Sequence, residues 1–198
     1  MTLSAPLPRR YLITPEPAPD APLSTFIDHL ETALAGGITL VQLRAKTVTP
    51  AQYAWLAREA RICCRRHGAR LLLNAPPELA RSVHADGVHL TSARLMHCAS
   101  RPLPSDFLVS AACHDTHQVI HANTLGADLL TISPVLATKT HVDAEPLGWP
   151  RFREIAALTS IPVYALGGMR IASLDEALAA GAHGIAAIRD FWGEDVRS

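Results

Sequence analysis

Gln42, Arg44 and Lys46 occupy every second position of one apolar run, with Val41, Leu43 and Ala45 filling the places around them. In an extended strand, residues two apart point the same way. One amide and two cations therefore share a face, and the apolar residues take the other. Withdrawing two unpaired cations from water costs several kcal/mol, so an anion, a carboxylate or water must meet them. An anionic ligand is the functional reading, and an internal ion-pair network is the structural one. Asn74 ends a second apolar run and could hydrogen-bond a heterocycle from the same side, although asparagine also ends strands simply by turning them.

A second group lies further along. The segment from Ser133 to Trp149 is long for a strand-to-helix connection and carries Thr138, Lys139, Thr140 and His141. Long connections in compact domains often act as lids or binding loops. Two hydroxyls and two potential cations in four residues could hold a phosphate, with a solvated loop as the alternative. Gly167-Gly168 follows the run Val163–Leu166, where small residues let backbone amides approach a phosphate. Arg189, just past the last apolar run, would add charge there or simply lie on the surface.

Histidines form the third group. His114, His117 and His121 would share one face of a helix and raise the question of a metal. No carboxylate pair or cysteine cluster accompanies them at ligand spacing. His114, where a strand gives way to a helix, reads better as a substrate contact or proton donor, or as a packed residue at the helix end.

The elements that must position these residues are eight short apolar runs: 11–14, 38–44, 71–74, 87–90, 107–111, 129–133, 163–166 and 184–188. Runs of this length bounded by turn residues read as buried parallel strands. Amphipathic stretches separate them. The clearest runs from Ala51 to His67, with Thr49 as cap, Pro50 at the first helical position and Gly68 as stop. Small-residue breaks at Gly36-Gly37, Ala85-Asp86-Gly87, Gly126-Ala127-Asp128 and Gly181-Ala182-His183-Gly184 each look like a helix end feeding a strand. Eight units of roughly 25 residues suit a single-domain (β/α)8 TIM barrel over residues 1–198, with phosphate sites expected after strands seven and eight. A doubly wound open sheet is the alternative. The last helix must be short. Its truncation would leave apolar wall for a homo-oligomer at Met169, Phe191 and Trp192, unless these are ordinary core residues. The proline-rich stretch 15–22 reads as a loop after the first strand.

Composition narrows the partners. Eighteen basic residues balance eighteen acidic ones in 198 residues, and neither sign forms a block, which argues against a nucleic-acid groove or a polybasic membrane patch. Cys63, Cys64, Cys98 and Cys113 lack metal-ligand spacing and suit buried thiols in a reducing cytoplasm. Pro6, Pro8, Arg9 and Arg10 stand where a signal peptide needs an apolar core, and no apolar run approaches membrane-spanning length.

Taken together, Gln42-Leu43-Arg44-Ala45-Lys46, Asn74, the stretch 85–90, Gly126-Ala127-Asp128, Thr138 with Thr140, and Gly167-Gly168 resemble the thiamine-phosphate synthase and TenI family along nearly the whole chain. The resemblance implies a (β/α)8 barrel that joins a pyrimidine diphosphate to a thiazole phosphate with loss of pyrophosphate or, in the TenI branch, isomerises the thiazole phosphate. It implies that Gln42 and Asn74 touch the pyrimidine and that Arg44 and Lys46 hold its pyrophosphate. It further implies that Thr138, Thr140 and the Gly167-Gly168 backbone bind the thiazole phosphate.

The departures from that family are specific. Two carboxylates that bind magnesium in the synthase correspond here to Ala75 and Arg94, so magnesium would depend on the pyrophosphate and waters unless Arg94 replaces its charge. A serine near the end of strand five corresponds to Ala112, and a lysine after strand six to His141, with Lys139 close by. The TenI catalytic histidine corresponds to Pro134. The segments 133–141, 147–149, 164–169 and 184–192 resemble the synthase-like domain fused behind Nudix hydrolases, which implies a separate Nudix hydrolase as partner. Three functions follow as expectations: a transferase using small phosphorylated heterocycles, an isomerase using His114 or His141, or a non-catalytic ligand-binding domain.

Overall fold

Apolar residues on both faces of every strand require cover on both sides, and a closed parallel barrel inside a ring of helices supplies it. The computed structural model describes residues 6–138 and 145–193. Strands β1 (Arg10–Ile13), β2 (Leu40–Leu43), β3 (Arg70–Leu73), β4 (Gly87–Leu90), β5 (Leu108–Cys113), β6 (Leu129–Ile132), β7 (Val163–Leu166) and β8 (Gly184–Ala187) pair in parallel and in chain order, and β8 closes on β1. Around them run α1 (Leu23–Ala35), α2 (Pro50–Arg66), α3 (Pro77–Ser82), α4 (Ser92–His97), α5 (Thr116–Leu125), α6 (Gly148–Ala156), α7 (Leu174–Ala179) and α8 (Arg189–Trp192). All eight expected strands form. Closure excludes the open sheet. None of the described helices is long and apolar enough to cross a membrane.

The faces divide as the alternation in β2 requires. Val41, Leu43 and Ala45 join the layer between strands and helices, whereas Leu40 joins an inner cluster with Tyr11, Leu72, Leu108, Leu129 and Tyr164. Tyr11 and Tyr164 meet edge to face at 5.4 Å and, with those leucines, fill the lower barrel. Each of those leucines is essentially inaccessible, and burying one contributes about 1.5–3 kcal/mol. Truncating Leu72 to alanine would cost about 2–5 kcal/mol, because the ring of strands cannot collapse onto the gap.

Helix α2 begins as its sequence requires. Thr49 Oγ1 accepts from the Gln52 amide at 3.3 Å while Gln52 Oε1 accepts from the Thr49 amide at 2.9 Å, a reciprocal capping box. The small-residue breaks are one recurring helix stop. The amides of Ile38, Ala69, Ala85, Ala127 and Ala182 each donate five residues back, to Ala33, Cys64, Ala80, Ala122 and Ala177. Before each stands a residue with positive φ, a glycine in four cases and His84 in the fifth. This is the six-to-one bond of the Schellman stop, and its apolar residue packs inward.

Two of these stops carry an aspartate clasp. Asp86 Oδ2 accepts from the Leu71 amide at 2.7 Å, and Asp128 Oδ2 accepts from the Val109 amide at 2.7 Å. Arg61 and Arg101 bind those carboxylates at 3.3 and 2.6 Å. The clasps sit at the end of the barrel away from the polar mouth.

Helix α8 spans four residues and stops at Gly193, whose φ is 78°. Met169, Phe191 and Trp192 are core residues, the alternative that the sequence left open to an exposed wall: all three are buried, and Trp192 packs on Phe26 of α1 with ring centres 4.8 Å apart.

Candidate active site

At the carboxyl ends of the strands the inner side chains enclose a cavity of about 850 Å³. Ile13, Gln42, Asn74, His89, Ala112, Thr131, Leu166 and Ala186 reach it from β1 to β8 in turn. It stops at the Tyr11–Tyr164 layer.

Its depth is polar and uncharged. Gln42 and His89 are buried, Gln42 Oε1 lies 3.4 Å from the Tyr11 hydroxyl, and His89 Nδ1 lies 2.9 Å from Ser110 Oγ. Burial first, and then the nearby Arg94 and Lys46, lower the His89 pKa to about 3. The ring is therefore neutral at ordinary pH. Burial likewise raises the Tyr11 hydroxyl far above the usual phenol range. Thr131 is fully buried against the cavity, and its Oγ1 has no hydrogen-bond partner among the described residues. A buried hydroxyl without a partner is costly unless something in the cavity meets it.

The rim is charged and mostly basic, with Arg170, Glu145 and Asp190 among its lining residues. Arg44, Lys46 and Arg189 all line the mouth. Arg44 is not left alone: Glu16, in the loop after β1, holds its Nη1 at 2.7 Å. The other carboxylate oxygen of Glu16 accepts from the Lys46 amide at 2.7 Å and from the Thr47 amide and hydroxyl at 3.1 Å each. Below this clasp, Thr14 Oγ1 accepts from the Arg44 amide at 2.9 Å and donates to its carbonyl at 3.0 Å. A carboxylate thus meets Arg44, as the ion-pair reading of the β2 face expected, while Lys46 forms no ion pair with a described residue.

Across the mouth, Thr138, Gly167 and Gly168 line the same cavity. The chain after β6 lies directly on them, with the Val135 and Leu136 amides donating to the carbonyls of Leu166 at 2.9 Å and Gly167 at 3.1 Å. A β-carbon on Gly167 would meet Pro134 Cα at 2.8 Å, and one on Gly168 would meet the Ala137 carbonyl at 2.7 Å. Both glycines have positive φ, 96° and 69°. Close approach and backbone conformation together demand glycine here. Lys139, Thr140 and His141 lie outside the described residues.

The three histidines part company. Asp115, not His114, caps α5, accepting from the Gln118 amide at 2.8 Å, because the acceptor side chain competes for the first free amides. His114 therefore precedes the helix and lines the cavity, with Nδ1 2.7 Å from the Ser133 carbonyl. That carbonyl can only accept, so Nδ1 carries a proton, and in the tautomer without a proton on Nε2 that atom is an acceptor. His121 Nε2 instead lies 3.0 Å from the carbonyls of Leu95 and Cys98, tying α5 to the end of α4. Among the described residues no three His, Cys, Asp or Glu side chains gather as a metal site.

The magnesium ligands implied by family resemblance do not fit this chain. Ala75 is a buried methyl, and Arg94 presents a guanidinium whose Nη1 lies 3.4 Å from Asn74 Oδ1. Neither side chain supplies the hard oxygen donors magnesium takes.

Sequence reasoning missed Glu16, His89, Ser110 and Thr131. The last three sit at alternate positions of apolar strands, where the period-two argument used for β2 would have found them. Glu16 lies in a proline-rich loop with no periodicity to read.

Comparison with known proteins agrees with this geometry. The family model described as thiamine monophosphate synthase matches residues 10–191. A protein of Aquifex aeolicus named putative thiamine-phosphate synthase 2 is 34% identical over 93% of this chain and 98% of its own length. A thiamine-phosphate synthase of Methanospirillum hungatei is 37% identical over 90% of this chain and 86% of its own. The solved structure of thiamine phosphate pyrophosphorylase from Pyrococcus furiosus superposes with a TM-score of 0.75 at 26% identity, covering 96% of this chain and 90% of that one. With a match running from the first residue of β1 into α8, and a barrel whose mouth carries the expected face of β2, the chain belongs to the thiamine monophosphate synthase family.

Proposed function

We propose that the protein is a thiamine-phosphate synthase, a transferase that condenses hydroxymethylpyrimidine diphosphate with thiazole phosphate to give thiamine phosphate and pyrophosphate. The observation that carries this reading is the layering of the cavity: the buried, uncharged Gln42, His89 and Thr131 at depth, and charged groups, among them Arg44, Lys46 and Arg189, at the rim. Such a site fits a neutral ring below and an anionic group above.

In this reading Gln42 and Asn74 orient the pyrimidine, and Arg44 and Lys46 hold its pyrophosphate. The bond from the exocyclic carbon to the pyrophosphate oxygen breaks with its electron pair leaving on oxygen. A lone pair of the thiazole nitrogen then closes the new carbon–nitrogen bond. Charge grows on the departing anion, so fixed cations lower the barrier without moving a proton. Thr138, the Gly167-Gly168 backbone and Arg189 receive the thiazole phosphate, and Lys139 and Thr140 are assigned to the same loop.

Thiamine phosphate formation by the purified protein, with Arg44→Ala and Lys46→Ala as controls, tests the assignment. Turnover lowered at least ten-fold by either substitution is expected, and no turnover at high enzyme concentration would remove it.

A second reading is favoured by the His114 tautomer, whose Nε2 could take a proton from bound thiazole phosphate in a TenI-type isomerisation. His141 is the other candidate for that proton. Isomerisation abolished by His114→Gln, without pyrophosphate or magnesium, would establish it. The four cysteines form no disulfide, which supports a reducing, cytoplasmic setting. A homo-oligomer and a separate Nudix hydrolase are proposals for light scattering and pull-down.

A further inference from the structure

The end of the cavity formed by β2, β3 and β4 gathers positive charge in place of metal ligands. Asn74 lines it, and its side-chain oxygen faces the Arg94 guanidinium at 3.4 Å. Arg94 belongs to the first turn of α4, which Thr91 starts by accepting its amide at 3.3 Å. The backbone that carries Arg94 is thus fixed beside the mouth while the long side chain extends over Asn74. The residue after Asn74 is the buried Ala75, which has no donor atom to offer.

Lys46 lines the cavity, and Arg94 stands beside it, lining the adjoining hollow with Ala75 and Leu90 and reaching the cavity through its contact with Asn74. Both stand near enough to the buried His89 ring to oppose its protonation, after burial itself. Arg44 adjoins them on β2 with its charge shared by Glu16. Among the described residues, Arg94, Lys46 and Arg44 bring positive charge to this end, and Glu16 is already engaged with Arg44. A divalent cation entering here meets like charge and an amide oxygen facing a guanidinium, whereas a polyanion meets three donors of hydrogen bonds.

We infer that Arg94 does the work of a divalent metal in this protein, so that pyrophosphate binds at the β2–β4 end of the mouth through Arg94, Lys46 and Arg44 without magnesium. The inference rests on the synthase reading for the identity of the anion. Planar, permanently charged arginine suits this task better than lysine, because it can donate two parallel hydrogen bonds to phosphate oxygens.

The test is calorimetric titration of inorganic pyrophosphate into the full-length protein, once in EDTA and once with magnesium, alongside a thiamine phosphate assay in the same two buffers. Binding in EDTA is expected, with magnesium changing the affinity less than three-fold and Arg94→Ala weakening it ten-fold or more. Arg94→Gln is the second variant, and melting curves check that both fold. Binding that requires magnesium, or an Arg94→Ala affinity equal to that of the parent, overturns the inference. Product made only with magnesium also overturns it and leaves the synthase standing. Pyrophosphate bound in EDTA with no product in either buffer removes the synthase reading and leaves the metal-free anion site.

Discussion

Glu16 Oε1 holds Arg44 Nη1 at 2.7 Å while Oε2 of the same carboxylate takes the backbone amides of Lys46 and Thr47. One acid from the loop after β1 thus fixes both the side chain of one cation and the backbone that carries the next. The pair is partly exposed, so its charge attraction is screened. Its value lies in orientation. Glu16→Ala is expected to lower stability by about 1–2 kcal/mol in urea titration. The same variant should raise KM for the anionic substrate more than it lowers kcat, and unchanged KM would separate the clasp from binding.

The glycines under the β6 loop offer a graded comparison. Gly168→Ala must satisfy a φ of 69° and a contact with the Ala137 carbonyl at 2.7 Å, whereas Gly126→Ala has φ 76° and open space. The second is expected to cost about 1 kcal/mol and the first about 2–4 kcal/mol, since backbone strain and overlap combine. Thermal melting of the two variants checks the order.

His89 gives a pH signature. Its pKa in the fold is lowered to about 3, while an unfolded histidine titrates near 6.5. The unfolded chain therefore binds the extra proton first as pH falls. The stability that the neutral ring contributes is complete above about pH 6.5 and is lost progressively toward pH 3, with a limiting slope of about 1.4 kcal/mol per pH unit. Denaturation series between pH 4 and 7 should show a shallower slope for His89→Gln than for the parent. Equal slopes would place the acid sensitivity elsewhere.

Asp128 tests whether the lower end of the barrel is structural. Asp128→Ala strands the buried Val109 amide and leaves Arg101 without its carboxylate. A loss of about 2–3 kcal/mol is expected. Because the clasp lies away from the mouth, kcat and KM below the melting temperature should stay within about two-fold, a kinetic assay at 25 °C being the check.

Most of the barrel was readable because each strand is a short apolar run and five of the helix stops share one chemistry. Gly126-Ala127-Asp128 announces a stop, an inward methyl and a clasp in three letters. The β2 face was readable for a similar reason, since a polar residue at every second place of an apolar strand has only one side to occupy. Pairing was not readable. That Glu16 would reach Arg44 depends on how the loop after β1 crosses the mouth, and the proline-rich stretch has no period that would reveal it. That α8 would be short was legible, as was a core role for Phe191 and Trp192, but the contact of Trp192 with Phe26 was not, because it joins elements far apart in the chain. Of the three histidines, His114 stands in the mouth, as its place between strand and helix suggested, because Asp115 takes the cap, while His121 lies against α4.

The edge-to-face pair of Tyr11 and Tyr164 stoppers the lower barrel, so whatever enters the mouth must leave by it. Two reactants sharing one doorway have to queue. The molecule destined for the bottom arrives first and departs last, and its partner, held nearer the entrance, regulates the traffic. A large excess of that outer partner would block the entrance ahead of the inner one, and the rate would fall at the concentrations where simple saturation would hold it level.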